Sequence, residues 1–492
     1  MAFLPLQIPM GFKKNGTDYE CAGRWLDGNL VRFHEGSLRP IGGWQIRISS
    51  AYSGVARSMH TWEDLSEARR ISTGTHDTLY FTSAGGVTTD ITPVGLVSGN
   101  VIANYNAGYG GNFYGTDYYG TVRPDNGTYS EATTWSLDNW GEYLVACSVA
   151  DGKLYEWQLN TANKAAQIAN APVDNLSLLV TEERFLFALG AGGNSRKVQW
   201  CDREDNTLWA AAATNEAGDI ELQTNGQIMA GVRTRGQSLI LTDTDAHSST
   251  YVGPPFVHSF ERVGSACGLV GRMAVAATDV GVFWMGKKNF FLYDGSSVRE
   301  VPCEVYDYVF SDINQAQVSL AWAMNVSQHG EVWFFFPSGS STEIDKYVAY
   351  DYRENHWIIG AIPRTTGMDS GVFRNPMMVD VGGDLYNHEQ GYNYSDLTVF
   401  AESAPISIGT GDQIMSVKRL IPDEVTQGQV EATFKTRFYP NDTERSYGPY
   451  SMSNPTDVRF TGRQIRMRIT GAAFADWRAG TMRIDATTRG KR

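Results

Sequence analysis

Short runs of apolar or alternating residues, separated by glycine-containing turns, recur through the middle of this chain. Four of these runs carry a Leu-Tyr pair beside a turn: Leu79-Tyr80, Leu154-Tyr155, Leu292-Tyr293 and Leu385-Tyr386. Successive tyrosines are 75, 138 and 93 residues apart. The last two intervals are close to three and two steps of about 46 residues, a period typical of the four-stranded sheets of a β-propeller.

A step of this length predicts further strands where the Leu-Tyr pair is absent, and strand-like runs lie at 196–200, 249–252 and 346–350. The first interval is longer by a Gly/Tyr/Asn-rich insertion at 100–135. We therefore predict an all-β protein, a β-propeller of six or seven blades over 51–395 with this loop insertion. An irregular β-rich protein with coincidental spacing is the alternative.

The two ends of the chain differ from this repeat. Residues 1–50 predict an extended N-terminal arm, because Pro5, Pro9 and Gly11 interrupt regular structure early. The repeat stops after 395, and the run from Ile465 to Ile469 alternates between apolar and basic residues. Residues 396–492 therefore predict a small C-terminal β-sandwich or platform module.

The insertion has a composition of its own, with no apolar periodicity. Its glycines are interleaved with aromatic residues: Tyr105, Tyr109, Phe113, Tyr114, Tyr118 and Tyr119. Loops of this length in compact domains are usually functional or disordered, and Tyr with Gly gives an adaptable contact surface. We predict an interaction loop; a passive insertion is the alternative.

Charge is distributed unevenly along the chain. The net charge is −13, whereas residues 459–492 hold nine basic and two acidic residues, a net of +7, so residues 1–458 carry −20. Strand alternation directs Arg466 and Arg468 away from the apolar face of their strand. We predict that these two arginines form a subunit interface with acidic groups; merely solvated arginines are the alternative.

Composition also excludes some classes of protein. The negative charge argues against tight binding of nucleic acid, although DNA can pass through such a channel without adhering. Five scattered cysteines without metal-type spacing predict reduced core thiols of a protein made in a cytosol. The first ten residues lack the basic start of a signal peptide, and no apolar run of about 18 residues predicts a membrane segment.

Catalytic and cofactor motifs are not apparent. The segment Gly281–Lys288 resembles a phosphate-binding loop, but it lacks the terminal Ser/Thr and precedes a strand. Asp243, Asp245 and His247 could approach one another, yet this segment is also ordinary turn sequence. We therefore expect no enzyme activity, cofactor or metal. Paired acids on separate blades stay open as a route to glycoside cleavage.

The N-terminal segment from Gly23 to Phe33, followed by Glu35-Gly36 and Arg39-Pro40-Ile41-Gly42-Gly43, resembles the opening of tail nozzle proteins of short-tailed bacteriophages. This group includes tail tubular protein B and packaged-DNA stabilisation proteins. Segments 178–206 and 233–243 resemble phage and prophage tail proteins, and 461–480 is similar to nozzle proteins. The resemblance thus covers the arm, the blades and the C-terminal module.

This resemblance implies a structural virion protein that forms the distal nozzle ring of a short viral tail. It implies a homo-oligomer of six copies below a tail adaptor protein, with tail fibre or tail needle proteins as further partners. DNA would be retained in the ring lumen and conducted at ejection without specific binding. The protein would be made in the host bacterial cytoplasm and located in the virion tail. A carbohydrate-binding or carbohydrate-cleaving tail protein on the same fold is the alternative, and a peptide-binding scaffold propeller is a third.

Overall fold

The first five strands belong to the N-terminal arm, which crosses from one part of the molecule to another. A computed structural model describes residues 2–105, 129–407, 413–426, 428–452, 454–471 and 475–490. The strands of the arm are β1 (Ala2–Leu6), β2 (Trp25–Asn29), β3 (Val31–His34), β4 (Ser37–Pro40) and β5 (Trp44–Ile48). Strands β3 and β4 form a hairpin, and the other three join sheets formed mainly by distant residues.

Seven four-stranded antiparallel sheets follow. Blade one comprises β6 (Ser58–Glu63), β7 (Arg69–Gly74), β8 (Leu79–Ser83) and β9 (Thr88–Asp90); a short pair follows, β10 (Asn104–Tyr105) and β11 (Tyr129–Ser130); blade two comprises β12 (Trp135–Trp140), β13 (Tyr143–Ser148), β14 (Leu154–Trp157) and β15 (Ala166–Gln167); blade three comprises β16 (Ser177–Val180), β17 (Leu186–Leu189), β18 (Lys197–Trp200) and β19 (Gly218–Glu221); blade four comprises β20 (Ile228–Thr234), β21 (Gln237–Thr242), β22 (Asp245–Gly253) and β23 (Val257–Ser265).

Blades five to seven continue the pattern. Blade five comprises β24 (Val275–Ala277), β25 (Val282–Met285), β26 (Phe290–Tyr293) and β27 (Val298–Val301); blade six comprises β28 (Trp322–Val326), β29 (Glu331–Phe336), β30 (Lys346–Asp351) and β31 (His356–Gly360); blade seven comprises β32 (Thr366–Met368), β33 (Met377–Val379), β34 (Leu385–His388) and, from the arm, β5. Helical structure is confined to α1 (Tyr306–Val309) and short 3-10 turns at Ala191–Gly193 and Val318–Leu320 among the described residues.

The seven sheets close into a ring. The first strand of each blade contacts the first strand of the next, and β32 of blade seven contacts β6 of blade one. Blade seven takes its outer strand from the arm, because β34 pairs with β5 from Leu385↔Ile48 to His388↔Trp44. The all-β propeller predicted from the sequence is confirmed, with seven blades.

The Leu-Tyr repeat marks one position in the blade. Its four copies lie in the third strands of blades one, two, five and seven, and the runs at 196–200, 249–252 and 346–350 cover the third strands of blades three, four and six. Gly152 and Gly383, which precede two of the pairs, have positive φ angles of 62° and 83°. A side chain on either glycine would meet backbone atoms within 2.6 Å, so the turn of the repeat requires glycine there.

The C-terminal part of the chain forms two sheets together with the arm. Its strands are β35 (Phe400–Ser403), β36 (Ile406–Ser407), β37 (Ile414–Ile421), β38 (Val430–Arg437), β39 (Arg445–Ser451), β40 (Thr456–Gly462), β41 (Gln464–Gly471) and β42 (Met482–Gly490). One sheet has the order β1-β42-β37-β40 and the other β2-β35-β41-β38-β39. We call these two sheets the terminal module. The arm thus supplies an edge strand to each sheet of the module before it closes blade seven.

Apolar side chains pack between neighbouring blades. Trp62, Phe81, Trp135 and Trp157 fill the space between blades one and two, and similar clusters lie between the other early blades. The largest cluster extends from blade four through blade six into the terminal module. The module therefore shares a continuous core with the propeller, and it docks where β2 and β3 contact β31, the outer strand of blade six.

Candidate interaction site

The two ends of the insertion lie on one face of the propeller, the face at which the first strand of every blade begins. We call this the start face and the opposite one the end face. Thr133 donates its backbone N–H to Asn100 O at 2.9 Å, and the backbone N–H of Asn100 donates to Thr133 Oγ1 at 2.9 Å. The chain therefore leaves and re-enters the propeller at a single hydrogen-bonded base, formed by residues 99–103 and 130–134.

This base reaches across the propeller axis. The backbone N–H of Ala103 donates to Gln317 Oε1 at 2.9 Å, and Gln317 Nε2 donates to Ala103 O at 2.7 Å. Glu131 pairs with Arg272 at 3.2 Å. Gln317 precedes the first strand of blade six and Arg272 that of blade five, and in a ring of seven blades blade five lies opposite the junction of blades one and two, where the insertion leaves. The base of the insertion therefore spans the start-face mouth of the axis.

Arg57, like Arg272, is a buried arginine that holds the base of the insertion in place. Arg57, directly before blade one, donates to both carboxylate oxygens of Glu343 at 2.8 and 2.7 Å and to Val101 O at 2.6 Å. Glu343 lies between the second and third strands of blade six, also on the start face. Bidentate pairing of this kind fixes direction as well as distance.

The aromatic side chains predicted to form the interaction loop fall beyond this base. Tyr109, Phe113, Tyr114, Tyr118 and Tyr119 lie outside the described residues, and only the backbone of Tyr105, in β10, is described. The structure does show how the loop is attached: the chain leaves and re-enters the propeller at the hydrogen-bonded base formed by residues 99–103 and 130–134. The interaction loop stays a prediction.

Two polar side chains on first strands, Asp138 and His60, make contacts between blades. Asp138 on β12 accepts from Arg233 of blade four at 2.8 Å and from the backbone N–H of Val180 of blade three at 3.0 Å. His60 on β6 bonds Asn139 of the next blade, and burial lowers the pKa of this histidine. Asp138 therefore joins three first strands, a role that engages both of its carboxylate oxygens.

The predicted basic face of β41 is paired inside the chain. Ile465, Met467 and Ile469 are buried on one side of the strand. On the other side, Arg466 lies 3.1 Å from Asp18, 3.4 Å from Glu444 and 3.6 Å from Glu402. Arg468 lies 3.4 Å from Glu402 and stacks over Phe400 at 3.6 Å from the ring centre. The alternation inferred from the sequence is as observed, and the contact with a neighbouring subunit stays a prediction.

The structure also assembles an ionic junction that sequence reasoning missed. Arg32 of β3, 3% exposed, pairs with Glu331 at 2.9 Å and with Glu389 at 2.8 Å. Glu389 also accepts the backbone N–H of Gly42 at 2.9 Å, and Arg32 holds the pKa of Glu389 well below its usual range despite burial. The signal was an arginine between apolar neighbours in Val31-Arg32-Phe33. Its partners, about 300 residues away, could not be identified from the sequence.

The residues considered as candidates for chemistry make local contacts in the fold. Asp245 accepts from Thr224 at 2.8 Å and from Thr242, and His247 lies 3.2 Å from it. Asp243 Oδ1 accepts the backbone N–H of Gln227 at 2.8 Å. Lys287 and Lys288 lie in the turn between β25 and β26, so no helix start is present to bind phosphate. These residues fold turns.

Fold and site together define a seven-bladed β-propeller with an attached two-sheet module. No protein-family model matches the chain, and no curated protein sequence matches it. Among solved structures it is similar to virginiamycin B lyase from Staphylococcus aureus, at 9% identity and a TM-score of 0.43 over 70% of this chain and 98% of that one. A streptogramin B lyase matches at 7% identity and a TM-score of 0.41, over 68% and 92% of the two chains.

A computationally designed protein, Ika8, matches at 9% identity and a TM-score of 0.36, over 77% of this chain and all of the other. Likenesses at this level support no inference about activity. Within the part of the chain that is described, no helix is long and apolar enough to cross a bilayer.

Proposed function

We propose that this protein is a structural component of a short phage tail, the distal nozzle that retains packaged DNA and conducts it at ejection. The observation that carries the proposal is the arm. It supplies strands to both sheets of the terminal module and then closes blade seven, so module and propeller form one clamped body. A component of a pressurised conduit needs such resistance to opening.

The route for DNA in this proposal is the lumen of a ring of copies, with six expected from the resemblance. It is not the axis of one propeller, because the base of the insertion spans the start-face mouth of that axis. The acidic body, −20 over residues 1–458, suits a wall past which DNA moves without adhering.

The same proposal assigns contacts to the aromatic loop and to the basic face of β41. The loop, anchored over the start face, would contact an adjoining tail protein or narrow the exit. Arg466 and Arg468 would reach a neighbouring copy beside their own acids. The tail adaptor would bind one end of the ring, and tail fibre or needle proteins are the further partners expected in the virion tail.

Negative-stain electron microscopy of the purified full chain tests the ring directly. We expect closed rings with a central opening wider than a DNA duplex, about 20 Å across. Lone seven-bladed particles at all concentrations and salt conditions, without and with the tail adaptor, would contradict the proposal.

Deleting residues 106–128 tests the loop, with the flanking β10–β11 pair joined by a short turn. We expect the propeller to fold, because the base keeps its own hydrogen bonds, while assembly or DNA retention fails. A matched control shortens the exposed turn at 254–256, between β22 and β23 of blade four. Particles of normal infectivity from the loop deletion would remove the loop from the proposal.

The alternative from the sequence is a carbohydrate-binding or carbohydrate-cleaving tail protein. The cleft that suits it best lies at the outer strands of blades two and three, with a volume of about 420 Å³ and a lining that includes Glu156, Gln158, Asn160 and Asn206. Amide and carboxylate groups are suitable partners for sugar hydroxyls. Shortening of purified capsular or lipopolysaccharide chains by the isolated protein would favour this alternative over the nozzle.

A further inference from the structure

Three side chains of the kinds that bind metal ions meet at the end face of blade six. Asp351 ends β30, Glu354 lies in the following turn, and His356 begins β31. One ligand atom from each lies within 4.8 Å of the others. Sequence reasoning did not find this group, although the spacing Asp-x-x-Glu-x-His across a hairpin turn was its visible signal.

Three buried polar atoms of this group lack protein partners. His356 is 4% exposed, and neither of its ring nitrogens has a hydrogen-bond partner. Glu354 Oε2 is likewise buried without one. Buried polar side-chain atoms are almost always satisfied, so two adjacent unsatisfied groups require an explanation. An ion bound to one ring nitrogen and to this carboxylate oxygen gives each of the two residues a partner.

The surrounding structure fixes these side chains. Asp351 Oδ1 accepts the backbone N–H groups of Arg353 at 2.9 Å and Glu354 at 2.8 Å, which sets the turn. Phe33 of the arm packs edge-on against the His356 ring, with centroids 5.5 Å apart. A bound ion needs its ligands oriented in this way by neighbouring groups.

Residues of the arm also contact Glu354. The backbone N–H of Glu35 donates to Glu354 Oε1 at 3.1 Å, and His34 Nδ1 lies 3.7 Å from the same oxygen. His34 is the last residue of β3, so the arm places an imidazole beside the carboxylate of Glu354. The set of residues is therefore complete only when the arm is docked on blade six.

Charge at this corner favours a cation. Asp351 lies opposite Glu331 in the backbone register of β30 and β29, and Glu331 and Glu389 share the buried guanidinium of Arg32. Asp351 and Glu354 therefore lie close to a buried arginine that two other carboxylates already share, and no further cationic partner of Asp351 or Glu354 is seen among the lysines and arginines of the described residues. Buried carboxylates without a cationic partner are costly, and a divalent ion supplies one.

We propose that Asp351, Glu354 and His356 bind a divalent transition-metal ion, with Zn²⁺ as the expected ion and His34 as the fourth ligand, and that this ion fastens the arm to blade six. An imidazole in the set favours a transition metal over Mg²⁺ or Ca²⁺, which prefer oxygen ligands. Ligand atoms around a tetrahedral Zn²⁺ are about 3.4 Å apart, so small side-chain rotations bring the group onto the ion.

Calorimetric titration of the chelator-treated full chain with Zn²⁺ tests the site. We expect one Zn²⁺ per chain at micromolar concentration or below, no comparable binding of Ca²⁺ or Mg²⁺, and a visible absorption band typical of four-coordinate Co²⁺ when Co²⁺ is added. Glu354→Gln and His356→Gln should each weaken Zn²⁺ binding by more than about tenfold. Glu304→Gln is the matched control, since Glu304 also binds the arm, through Arg24 at 2.6 Å, without a histidine.

Hydrogen exchange at residues 31–40 tests the fastening of the arm. Zn²⁺ should slow exchange there in the wild-type chain and in Glu304→Gln, and should do so less in His34→Asn. Glu354 is partly exposed, so its variant keeps the test valid if His356→Gln fails to fold. Absence of stoichiometric Zn²⁺, equal binding by Glu354→Gln and wild type, equal loss in Glu304→Gln, or unchanged exchange in the arm would each overturn the proposal.

Discussion

The propeller and the terminal module are both built from antiparallel strands, but the chain assembles them in opposite ways. Blades one to six each come from one contiguous segment whose strands pair in sequence order. The module pairs the two ends of the chain, as in Ala2↔Ala486, and its second sheet joins β2 to β35. Local pairing forms a blade without distant residues, whereas the module can form only after the whole chain is made.

Blade seven shares features of both regions. Three of its strands are contiguous and the fourth, β5, arrives from the arm. The same arm therefore completes the module and closes the ring, so loosening the arm should weaken both regions together. The predictions below test this coupling, from the largest expected effect to the smallest.

Removal of the buried cation at the arm should have the largest effect. In Arg32→Met, Glu331 and Glu389 keep their buried positions without a counter-charge, so we expect the free energy of unfolding to fall by about 3–5 kcal/mol. Equilibrium denaturation of the variant and of the wild-type chain measures this difference in the free energy of unfolding. The matched control is Arg24→Met, whose partly exposed pair with Glu304 should contribute at most about 1 kcal/mol.

Adding Glu331→Gln and Glu389→Gln to Arg32→Met should restore part of the loss, because the unpaired charges are then removed. If Arg32→Met and Arg24→Met lose the same free energy, the arm is not held by its buried cation. If the module and the propeller unfold in separate steps in the wild-type chain, the arm does not couple the stability of the two regions.

The sequence predicted the propeller far better than its surroundings, and the reason is physical. A blade needs only local hairpins, and the Leu-Tyr pair recurs beside a turn in the third strand of four of the seven blades, with its leucine buried each time. The module could be inferred only as a β-rich end. Nothing local in Phe3-Leu4 or Trp25-Leu26 shows that these residues pair with strands more than 370 positions away.

The site was predicted unevenly for the same reason. The alternation of β41 is local, so the two faces of that strand were inferred correctly. The partners of Arg466, Asp18 and Glu402 among them, come from three separate parts of the chain. The junction at Arg32 joins a hairpin near residue 32 to blades six and seven. Ion pairs of this kind leave no pattern in a single sequence.

A histidine in blade four should give the propeller a pH dependence of its own. His258 is caged by Phe185, Phe187, Trp200 and Tyr251, and burial lowers its pKa to about 4. Between about pH 6.5 and pH 4 the unfolded chain binds a proton here that the folded chain refuses. Stability contributed by this group is therefore complete above about pH 6.5 and falls with pH across that window, by up to about 1.4 kcal/mol per unit.

His258→Phe keeps a ring in the cage and removes the titrating group. Its free energy of unfolding, measured by denaturation at several pH values, should vary less steeply than that of the wild-type chain between pH 6.5 and 4. Equal slopes in His258→Phe and wild type would show that the folded protein protonates His258 normally.

Loss of the amide contact at the start face should have a smaller effect. Gln317→Ala leaves the backbone N–H and C=O of Ala103 without their partner, and such a loss costs about 1–3 kcal/mol. Gln328→Ala removes a longer, exposed contact to Arg374 O at 3.2 Å and should change stability by less than about 0.5 kcal/mol. Equal effects of the two substitutions would mean that the base of the insertion is not fastened across the axis.

The smallest change in stability is expected at Arg468, and it separates the fold of the module from assembly. Glu402 also receives Lys435 at 2.8 Å and Arg466 at 3.6 Å, so it keeps cationic partners in Arg468→Gln. The free energy of unfolding should therefore fall by no more than about 1 kcal/mol. Reversal of Arg466 is a poorer test of assembly, because a glutamate there would face Asp18, Glu402 and Glu444 and unfold the module itself.

If Arg468 also contacts acids of a neighbouring copy, Arg468→Gln should weaken ring assembly, and more at low salt than at high salt, because ions screen exposed charges. Arg419→Gln is the matched control, since Arg419 pairs with the exposed Asp457 at 3.2 Å on the other sheet of the module. Sedimentation at both salt concentrations measures assembly. Identical sedimentation of Arg468→Gln, Arg419→Gln and wild type would show that the basic face of β41 serves only the fold of its own chain.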